Sequence, residues 1–178
     1  RRCLEEIGVC FCFAIHHHPA MRYAAGPRAS LGFQTIFNLL GPLTNPAMAP
    51  RQFMGVYDRT LVHQIGETLR RLGAERAMVV HGHDGLDELT ITTTSIFADV
   101  SPTALTLHEI DAANLGLPRA TLADLQQVSD LDEAAGLLRR VLSGEKGPAF
   151  DMVCLNAGGA LAVAEAAADL KSGVALAR

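Results

Sequence analysis

Apolar runs bounded by glycine, proline and charged residues divide the chain into short elements. The run VCFCFAI at residues 9–15 is apolar throughout and rich in β-formers, which is typical of a strand covered on both faces. A short helical piece precedes this run and ends near Gly8. The strand leads to three histidines and Pro19, where a further helix can begin.

Two helical pieces follow, with sequences AMRYAAGPRASLG and QTIFNLL. We expect Gly26 and Pro27 to interrupt or end the first piece, and Gly41 and Pro42 to close the second. The next segment, GPLTNPAMAPR, contains three prolines within a few residues, too many for a regular element. It predicts a rigid connection and the best internal boundary in the chain.

A strand, a helix and a second strand follow this boundary with short links. RQFMGVY and AERAMVVHG have the composition of strands, and DRTLVHQIGETLRRLG between them is an amphipathic helix. Asp58 lies at the expected N-cap of that helix and Gly73 at its C-terminal stop. The three elements predict a parallel βαβ unit.

The remainder of the chain alternates strand and helix patterns. The Thr-rich segments ELTITTTSIFADV and ALTLHEI predict an antiparallel pair, and LDEAAGLLRRVLSG predicts a helix ending at Gly144. AFDMVCLNAG is interpreted as a strand and the residues after it as a final helix. The predicted fold class is α/β, with a mainly parallel sheet flanked by helices.

Composition supports this class and excludes several functions. The 178 residues suffice for one α/β domain over 1–178, and with 49% hydrophobic but only 5% aromatic residues its core must consist mainly of aliphatic side chains. A net charge of −4 with scattered Lys and Arg argues against nucleic acid as a partner. No apolar stretch approaches the roughly 20 residues that cross a bilayer. Cys10 and Cys12 would share one face of a strand, which favours reduced thiols and a cytoplasmic protein.

The strongest candidate for chemistry is HGHDGLDE at residues 81–88, directly after a buried strand. Ligands of open parallel sheets gather at the carboxyl ends of strands, and the adjacent carboxylates of Asp87 and Glu88 repel each other unless a cation neutralises them. Mg²⁺ takes one or two carboxylates together with phosphate oxygens. An ordinary turn with solvated carboxylates explains the same pattern. His81 and His83 fit better as loop residues than as ligands.

Two weaker candidates lie earlier in the chain. Consecutive side chains of an extended segment point to alternating sides, so His16, His17 and His18 cannot all bind one metal, although one of them can face a pocket. Arg28 follows Gly26 and Pro27, and its guanidinium could bind a carboxylate through two parallel hydrogen bonds. A surface arginine is the alternative.

Taken together, these segments resemble a known family over nearly the whole chain. HPAMRYAAGPRASLGFQTIFNLLGPLTNPAMAPRQFMGVYD and LGAERAMVVHGHDGLDELT resemble the central part of anthranilate phosphoribosyltransferases, and LNAGGALAVAEAAADLKSGVALA resembles their last long helix. The most specific motifs are the DGLDE loop and RTIFNLLGPLTNP, in which Gln34 replaces the usual Arg.

The resemblance implies a fold and a reaction. The family pairs a small helical domain, to which about 20–45 would contribute, with a larger α/β domain similar to that of pyrimidine nucleoside phosphorylases. It transfers the phosphoribosyl group of 5-phosphoribosyl 1-diphosphate to anthranilate in tryptophan biosynthesis, with Mg²⁺, and as a homodimer. Four positions fall on or near the family's anthranilate site, and two on its metal site: Arg28, His18, Tyr23 and Pro42, and Asp87 and Glu88.

One family motif has no counterpart here. The Gly-rich diphosphate loop GTGGD is absent, and neither GHDGLDE nor NAGGA matches it. We therefore expect that loop upstream of residue 1, and we expect the chain alone to be inactive. A non-catalytic binding or assembly module of the same fold and a related pyrimidine nucleoside phosphorylase remain the alternatives.

Overall fold

The structure, a computed structural model, describes residues 2–11, 22–33, 35, 37–45, 47–125, 128 and 130–178. The chain divides into two compact units, Arg1–Met48 and Ala49–Arg178. Their boundary falls inside the proline-containing segment that the sequence predicts as an internal boundary. The assignment of 20–45 to a helical domain stays a prediction.

The first unit is helical where it is described. Its helices are α1 (Arg2–Ile7), α2 (Arg22–Leu31) and α3 (Phe37–Leu43). The predicted strand at residues 9–15 is not found over 9–11, and its remainder lies outside the described residues.

Two predicted helix ends in this unit are wrong. Helix α2 continues through Gly26 and Pro27, and α3 includes Gly41 and Pro42. A proline removes only one backbone hydrogen bond, and the bonds on either side can keep the helix together. In α3 the chain turns after Pro42, where the Thr44 N–H donates to the Leu40 carbonyl at 3.0 Å.

Over its described residues, the second unit consists of a four-stranded sheet and four α-helices, with two short 3₁₀ turns between the last strand and the second of these helices. The elements are β1 (Arg51–Gly55), α4 (Arg59–Arg71), β2 (Arg76–Gly82), β3 (Thr94–Val100), β4 (Leu105–Asp111), 3₁₀ turns at Ala112–Leu115 and Leu122–Leu125, α5 (Leu131–Leu142), α6 (Pro148–Val163) and α7 (Leu170–Ala177). No helix among the described residues combines the length and hydrophobicity needed to span a membrane.

The sheet has the strand order β1-β2-β3-β4, and its pairing corrects part of the sequence prediction. β1 and β2 pair in parallel around α4, so the βαβ unit is confirmed. β2 with β3 and β3 with β4 pair antiparallel, as predicted for the last two strands. The α/β class is therefore confirmed, but among the described strands the sheet is not mainly parallel. A parallel pairing needs a long crossover, and the short links after β2 and β3 do not provide one.

Helices cover both faces of the sheet. Helix α4 begins at the N-cap Asp58, whose side chain accepts from the Thr60 N–H at 2.8 Å, and Gly73 follows its end with a φ of 87°. It lies against one face so closely that a Cβ on Gly66 would be 3.2 Å from the Ala98 Cβ. Side chains of the opposite face, such as Val80 and Phe97, form the main core with α6 and α7.

The segment AFDMVCLNAG is helical, so the strand predicted there is wrong. Gly147 is the N-cap of α6 and Pro148 its first residue, a position that proline favours because its missing N–H costs nothing there. The run is apolar because α6 is buried against both the sheet and α7, and a short apolar run alone does not separate a buried helix from a buried strand. A Cβ on Gly159 would lie 2.3 Å from the Phe53 ring.

Candidate functional site: the acidic loop after strand β2

The connection between β2 and β3 at residues 83–93, here called the β2–β3 loop, begins with a tight turn. The Gly85 N–H donates to the Gly82 carbonyl at 2.9 Å, and Gly85 has a φ of 92°, which favours glycine. The Gly82 N–H then donates to the Leu86 carbonyl at 2.8 Å. These bonds bring the following acidic residues back over the end of the sheet.

Asp84 is bonded to the loop itself. Its carboxylate accepts from the Leu86 N–H at 3.1 Å, from the Thr90 hydroxyl at 2.6 Å and from the Thr92 hydroxyl. Burial acts to raise the pKa of Asp84, but the hydrogen bonds from both threonines and the backbone outweigh it and lower that pKa. The first acid of the loop is therefore a structural residue.

Asp87 and Glu88, here called the acidic pair, have a different environment. Both residues are exposed, and among the described residues neither carboxylate has a hydrogen-bond or ion-pair partner. Partial desolvation raises the pKa of Glu88, and the neighbouring charge of Asp87 raises it further. The fold thus holds two repelling carboxylates together and leaves their oxygens available for a ligand.

The end of β1 contacts the backbone of the acidic pair, and the residue after it contacts the end of β2. A Cβ on Gly55 would lie 1.6 Å from the Asp87 carbonyl oxygen, so only glycine allows the two backbones to approach this closely. The buried His81 at the end of β2 donates from Nδ1 to the Val56 carbonyl at 2.8 Å, because a carbonyl can only accept. The first contact connects β1 with the β2–β3 loop, and the second connects the residue after β1 with the end of β2.

Helix α6 fixes the other side of the pair. The Asn156 side chain accepts from the Leu89 N–H at 2.9 Å and donates to the Leu89 carbonyl at 2.8 Å. The same amide donates to the Met152 carbonyl within α6 at 3.0 Å. Leu89 itself is fully buried in the main core.

His81 and His83 do not take part in a metal cluster within the described part of the chain. His83 Nε2 lies 3.3 Å from the Glu109 carboxylate on β4, and His81 bonds to backbone as described above. No group of three or more His, Cys, Asp or Glu side chains that could hold a metal occurs among the described residues. His83 lies in the β2–β3 loop as predicted, but His81 is a buried residue of strand β2, so its interpretation as a loop residue is wrong.

The predicted anthranilate-binding residues belong to the first unit. Arg28 is part of α2, Pro42 is part of α3, and Tyr23 in α2 is 71% exposed. His18, like His16 and His17, lies outside the described residues. The convergence of these residues on one pocket stays a prediction.

The acidic pair fits Mg²⁺ better than a transition metal. Its donors are carboxylate oxygens only, and two of them suffice for an ion that keeps water and takes phosphate oxygens for its other positions. A cation there would also offset the repulsion from Asp87, which adds to partial desolvation in raising the pKa of Glu88. The chemistry of these donors therefore fits a hard cation such as Mg²⁺.

Sequence reasoning does not identify two residues that shape this site. Asp84 appears in the sequence as one more acid of HGHDGLDE, although the hydroxyls of TITTT that bond to it stand only six and eight residues later. The sequence pattern places Asn156 in a strand, and its partner Leu89 is 67 residues away in the chain. A polar side chain inside an apolar run is the available signal for Asn156, because buried polar groups need a partner.

Comparison with known proteins places this chain in a family. The family model described as "Glycosyl transferase family, a/b domain" matches residues 1–178. The anthranilate phosphoribosyltransferase of Moorella thermoacetica is 52% identical over 176 residues, which cover 99% of this chain and 52% of that protein. That of Alkalilimnicola ehrlichii is 47% identical over 173 residues, 97% of this chain and 51% of that protein. The chain thus spans about half the length of the curated relatives it matches.

Solved structures give the same result. The crystal structure of anthranilate phosphoribosyltransferase from Thermus thermophilus matches with a TM-score of 0.91 and 44% identity, over 99% of this chain and 52% of that chain. The enzyme from Saccharomyces cerevisiae in complex with PRPP and Mg matches with a TM-score of 0.78 and 26% identity, over 90% and 46% of the two chains. The resemblance seen in the motifs is confirmed, and the chain belongs to the glycosyl transferase family whose α/β domain model spans its full length.

Proposed function

We propose that the protein to which this chain belongs transfers the phosphoribosyl group of 5-phosphoribosyl 1-diphosphate to anthranilate. The products are N-(5-phosphoribosyl)anthranilate and pyrophosphate, in a step of tryptophan biosynthesis. One observation carries the proposal: the acidic pair follows the end of β2, its carboxylates have no partner among the described residues, and the chain is 47–52% identical to two anthranilate phosphoribosyltransferases. The structure of such an enzyme with PRPP and Mg supports the substrate and metal.

In this reaction the bond between the sugar carbon and the pyrophosphate oxygen breaks, and its electron pair leaves with pyrophosphate. The anthranilate nitrogen forms the new bond to that carbon and then loses a proton. Asp87 and Glu88 would hold Mg²⁺, whose charge stabilises the departing diphosphate. Their own contribution is to fix where that positive charge lies, while Asp84 and Gly55 keep the backbone of the pair in place. No covalent nucleophile is needed.

Arg28 is the proposed partner of the anthranilate carboxylate. A guanidinium can bind a carboxylate through two parallel hydrogen bonds, and this contact would orient the weakly basic amine toward the sugar carbon. His18, Tyr23 and Pro42 would line the same pocket or its entry. A homodimer in the cytoplasm, with no nucleic acid or membrane partner, completes the proposal.

The test uses a fusion of this chain with the part of the Thermus thermophilus protein that it does not cover. Consumption of anthranilate is followed by its fluorescence, with donor and Mg²⁺ present. We expect turnover by the fusion, none by the chain alone, and a loss of at least about 100-fold in Asp87→Ala/Glu88→Ala, because removal of outer-shell residues alone typically costs about 10–100-fold. Asp132→Ala/Glu133→Ala, another adjacent exposed acidic pair, is the matched control and should retain activity.

The same assay separates the two substrates. Arg28→Ala should raise the KM for anthranilate about tenfold, as expected for a lost charge-assisted contact, and change the KM for the donor little. Arg139→Ala, at an exposed position of α5, is its control. Absence of turnover in the fusion, with a folded protein by circular dichroism, would contradict the proposed reaction. Full turnover by the variant of the acidic pair across a Mg²⁺ titration would contradict the metal assignment alone.

A further inference from the structure

The amide of Asn156 bonds to the β2–β3 loop in only one orientation. Its oxygen accepts from the Leu89 N–H, and its nitrogen donates to two carbonyls, those of Leu89 and Met152. With the amide reversed, its oxygen would face both carbonyl oxygens and its nitrogen would face an N–H group. The three bonds therefore determine the position of the side chain as well as its rotation.

Through these bonds the Asn156 side chain pairs with backbone groups of Leu89 that a neighbouring strand could otherwise satisfy. The N–H and carbonyl of Leu89 would otherwise be unpaired beside a fully buried side chain, which is costly. The Asn156 amide satisfies both groups at once, at 2.9 and 2.8 Å. Leu89 is thereby attached to α6, a helix buried against the sheet.

Glu88 lies between two points that the protein fixes. On one side, the Asp87 carbonyl rests against Gly55 of β1, where no Cβ would fit. On the other side, Leu89 is bonded to Asn156. The carboxylates themselves have no partner among the described residues, so within that part of the chain only the position of the backbone restricts the region that they can reach.

We infer that Asn156 is a positioning residue for the acidic pair: through the backbone of Leu89 it holds the Glu88 carboxylate in the geometry that binds a divalent cation. The inference rests on the proposed function insofar as the acidic pair is taken to bind Mg²⁺. Asn156 contacts neither substrate nor metal in this account, and it acts only by keeping the neighbouring backbone in place.

Two substitutions test the inference in the 178-residue chain. Asn156→Asp keeps the shape and the acceptor but places a carboxylate oxygen against the carbonyls of Leu89 and Met152. Asn156→Ala removes the contact without adding charge, so it remains informative if the aspartate variant does not fold. Binding of Mn²⁺, as a paramagnetic substitute for Mg²⁺, is measured by electron paramagnetic resonance. We expect both variants to bind Mn²⁺ about tenfold more weakly, at the lower end of the effect of outer-shell residues.

A second readout separates positioning from general destabilisation. Val174→Ala truncates a core side chain on α7 that is 1% exposed, without touching the bonds to Leu89, and serves as the stability control. Hydrogen exchange of the Leu89 N–H should accelerate in both Asn156 variants more than the exchange of α4 amides does. In Val174→Ala the folded fraction should bind Mn²⁺ as the parent chain does.

The outcomes distinguish this inference from the proposed function. If the parent chain binds Mn²⁺ through the acidic pair and the Asn156 variants bind it equally well, only the inference is overturned. If the parent chain does not bind Mn²⁺, or if Asp87→Ala/Glu88→Ala binds it unchanged, the metal assignment fails and the inference fails with it. Equal weakening by Val174→Ala, per folded molecule, would also overturn the inference.

Discussion

Asp84 and Glu88 lie four residues apart in one loop, yet the fold gives their carboxylates opposite environments. Asp84 accepts bonds from one backbone N–H and two threonine hydroxyls, and the pKa of its carboxyl is lowered. Glu88 has no such donor among the described residues, and desolvation and Asp87 raise the pKa of its carboxyl. The donors around acidic residues of one motif can thus assign some of them to structure and leave others for ligand binding.

The largest expected effect comes from removing the support of the acidic pair without changing Asp84. In Gly55→Ala the new Cβ would lie 1.6 Å from the Asp87 carbonyl oxygen, and backbone must move to relieve the overlap. We expect a loss of about 4 kcal/mol in the free energy of unfolding, above the roughly 1–3 kcal/mol usual for overpacking because backbone itself must move, measured by urea denaturation.

Gly136→Ala is the matched control for this substitution. Its Cβ would meet only the end of the Arg140 side chain, at 3.7 Å, and alanine favours the helix by roughly 0.5–1 kcal/mol over glycine. An equal loss of stability in both variants would show that the contact of Gly55 with Asp87 has no special weight.

The second-largest effect on the free energy of unfolding is expected for Asp84, the hydrogen-bonded acid of the loop. Asp84→Ala leaves the hydroxyls of Thr90 and Thr92 and one backbone N–H without their acceptor, so we expect a loss of about 3 kcal/mol. Asp87→Ala, in the same loop, should change the free energy of unfolding by less than about 0.5 kcal/mol, as is usual for an exposed side chain. Comparable losses of stability in the two variants would contradict the distinction between Asp84 as a structural residue and Asp87 as a residue available to a ligand.

The contribution of the Asp84 carboxylate to the free energy of unfolding depends on pH in a definite direction. The folded pKa of Asp84 is below its usual value of 3.8, so its stabilisation is present above that value and is lost as the pH falls through the folded pKa. Asp84→Asn should therefore flatten the acid side of the stability profile. An unchanged acid slope in urea titrations, followed from about pH 5 down to the folded pKa, would contradict this prediction.

The smallest effect belongs to Glu88 and has the opposite sign. Its folded pKa is above the usual 4.5, so the fold favours the protonated form, and this contribution is present below 4.5 and lost as the pH rises through the folded pKa. Glu88→Gln should thus stabilise the protein near neutral pH, by about 0.5 kcal/mol or less because the residue is exposed. Destabilisation by this variant at neutral pH would contradict the repulsion within the pair.

Local signals in the sequence predict the βαβ unit because residues next to its elements mark where they begin and end. Asp58 and Gly73 begin and end α4 by contacts within a few residues, and these can be read from the chain. The sequence prediction fails for the helix over 148–163 because its surroundings, and not its own pattern, make it uniformly apolar. Where a burial pattern depends on distant elements, the local sequence does not determine the element.

The candidate site is predictable to a similar degree. The position of Asp87 and Glu88 after a buried strand indicates a cation site, and the structure shows their carboxylates unbonded within the part it describes. The distinction between these residues and Asp84 is not predictable, since it depends on which way the threonine hydroxyls point. The contact of Asn156 with Leu89 spans 67 residues and has no local signature.

Arg51 at the start of β1 contacts residues that are synthesised much later, and this order affects folding during biosynthesis. Its guanidinium donates to the Val163 carbonyl across 112 residues and lies 2.6 Å from the Glu165 carboxylate. On a ribosome that emits the chain from the amino end, β1 and β2 emerge long before the helix that covers them. The apolar face of this sheet therefore stays exposed to chaperones and to other nascent chains until α6 and α7 have left the exit tunnel.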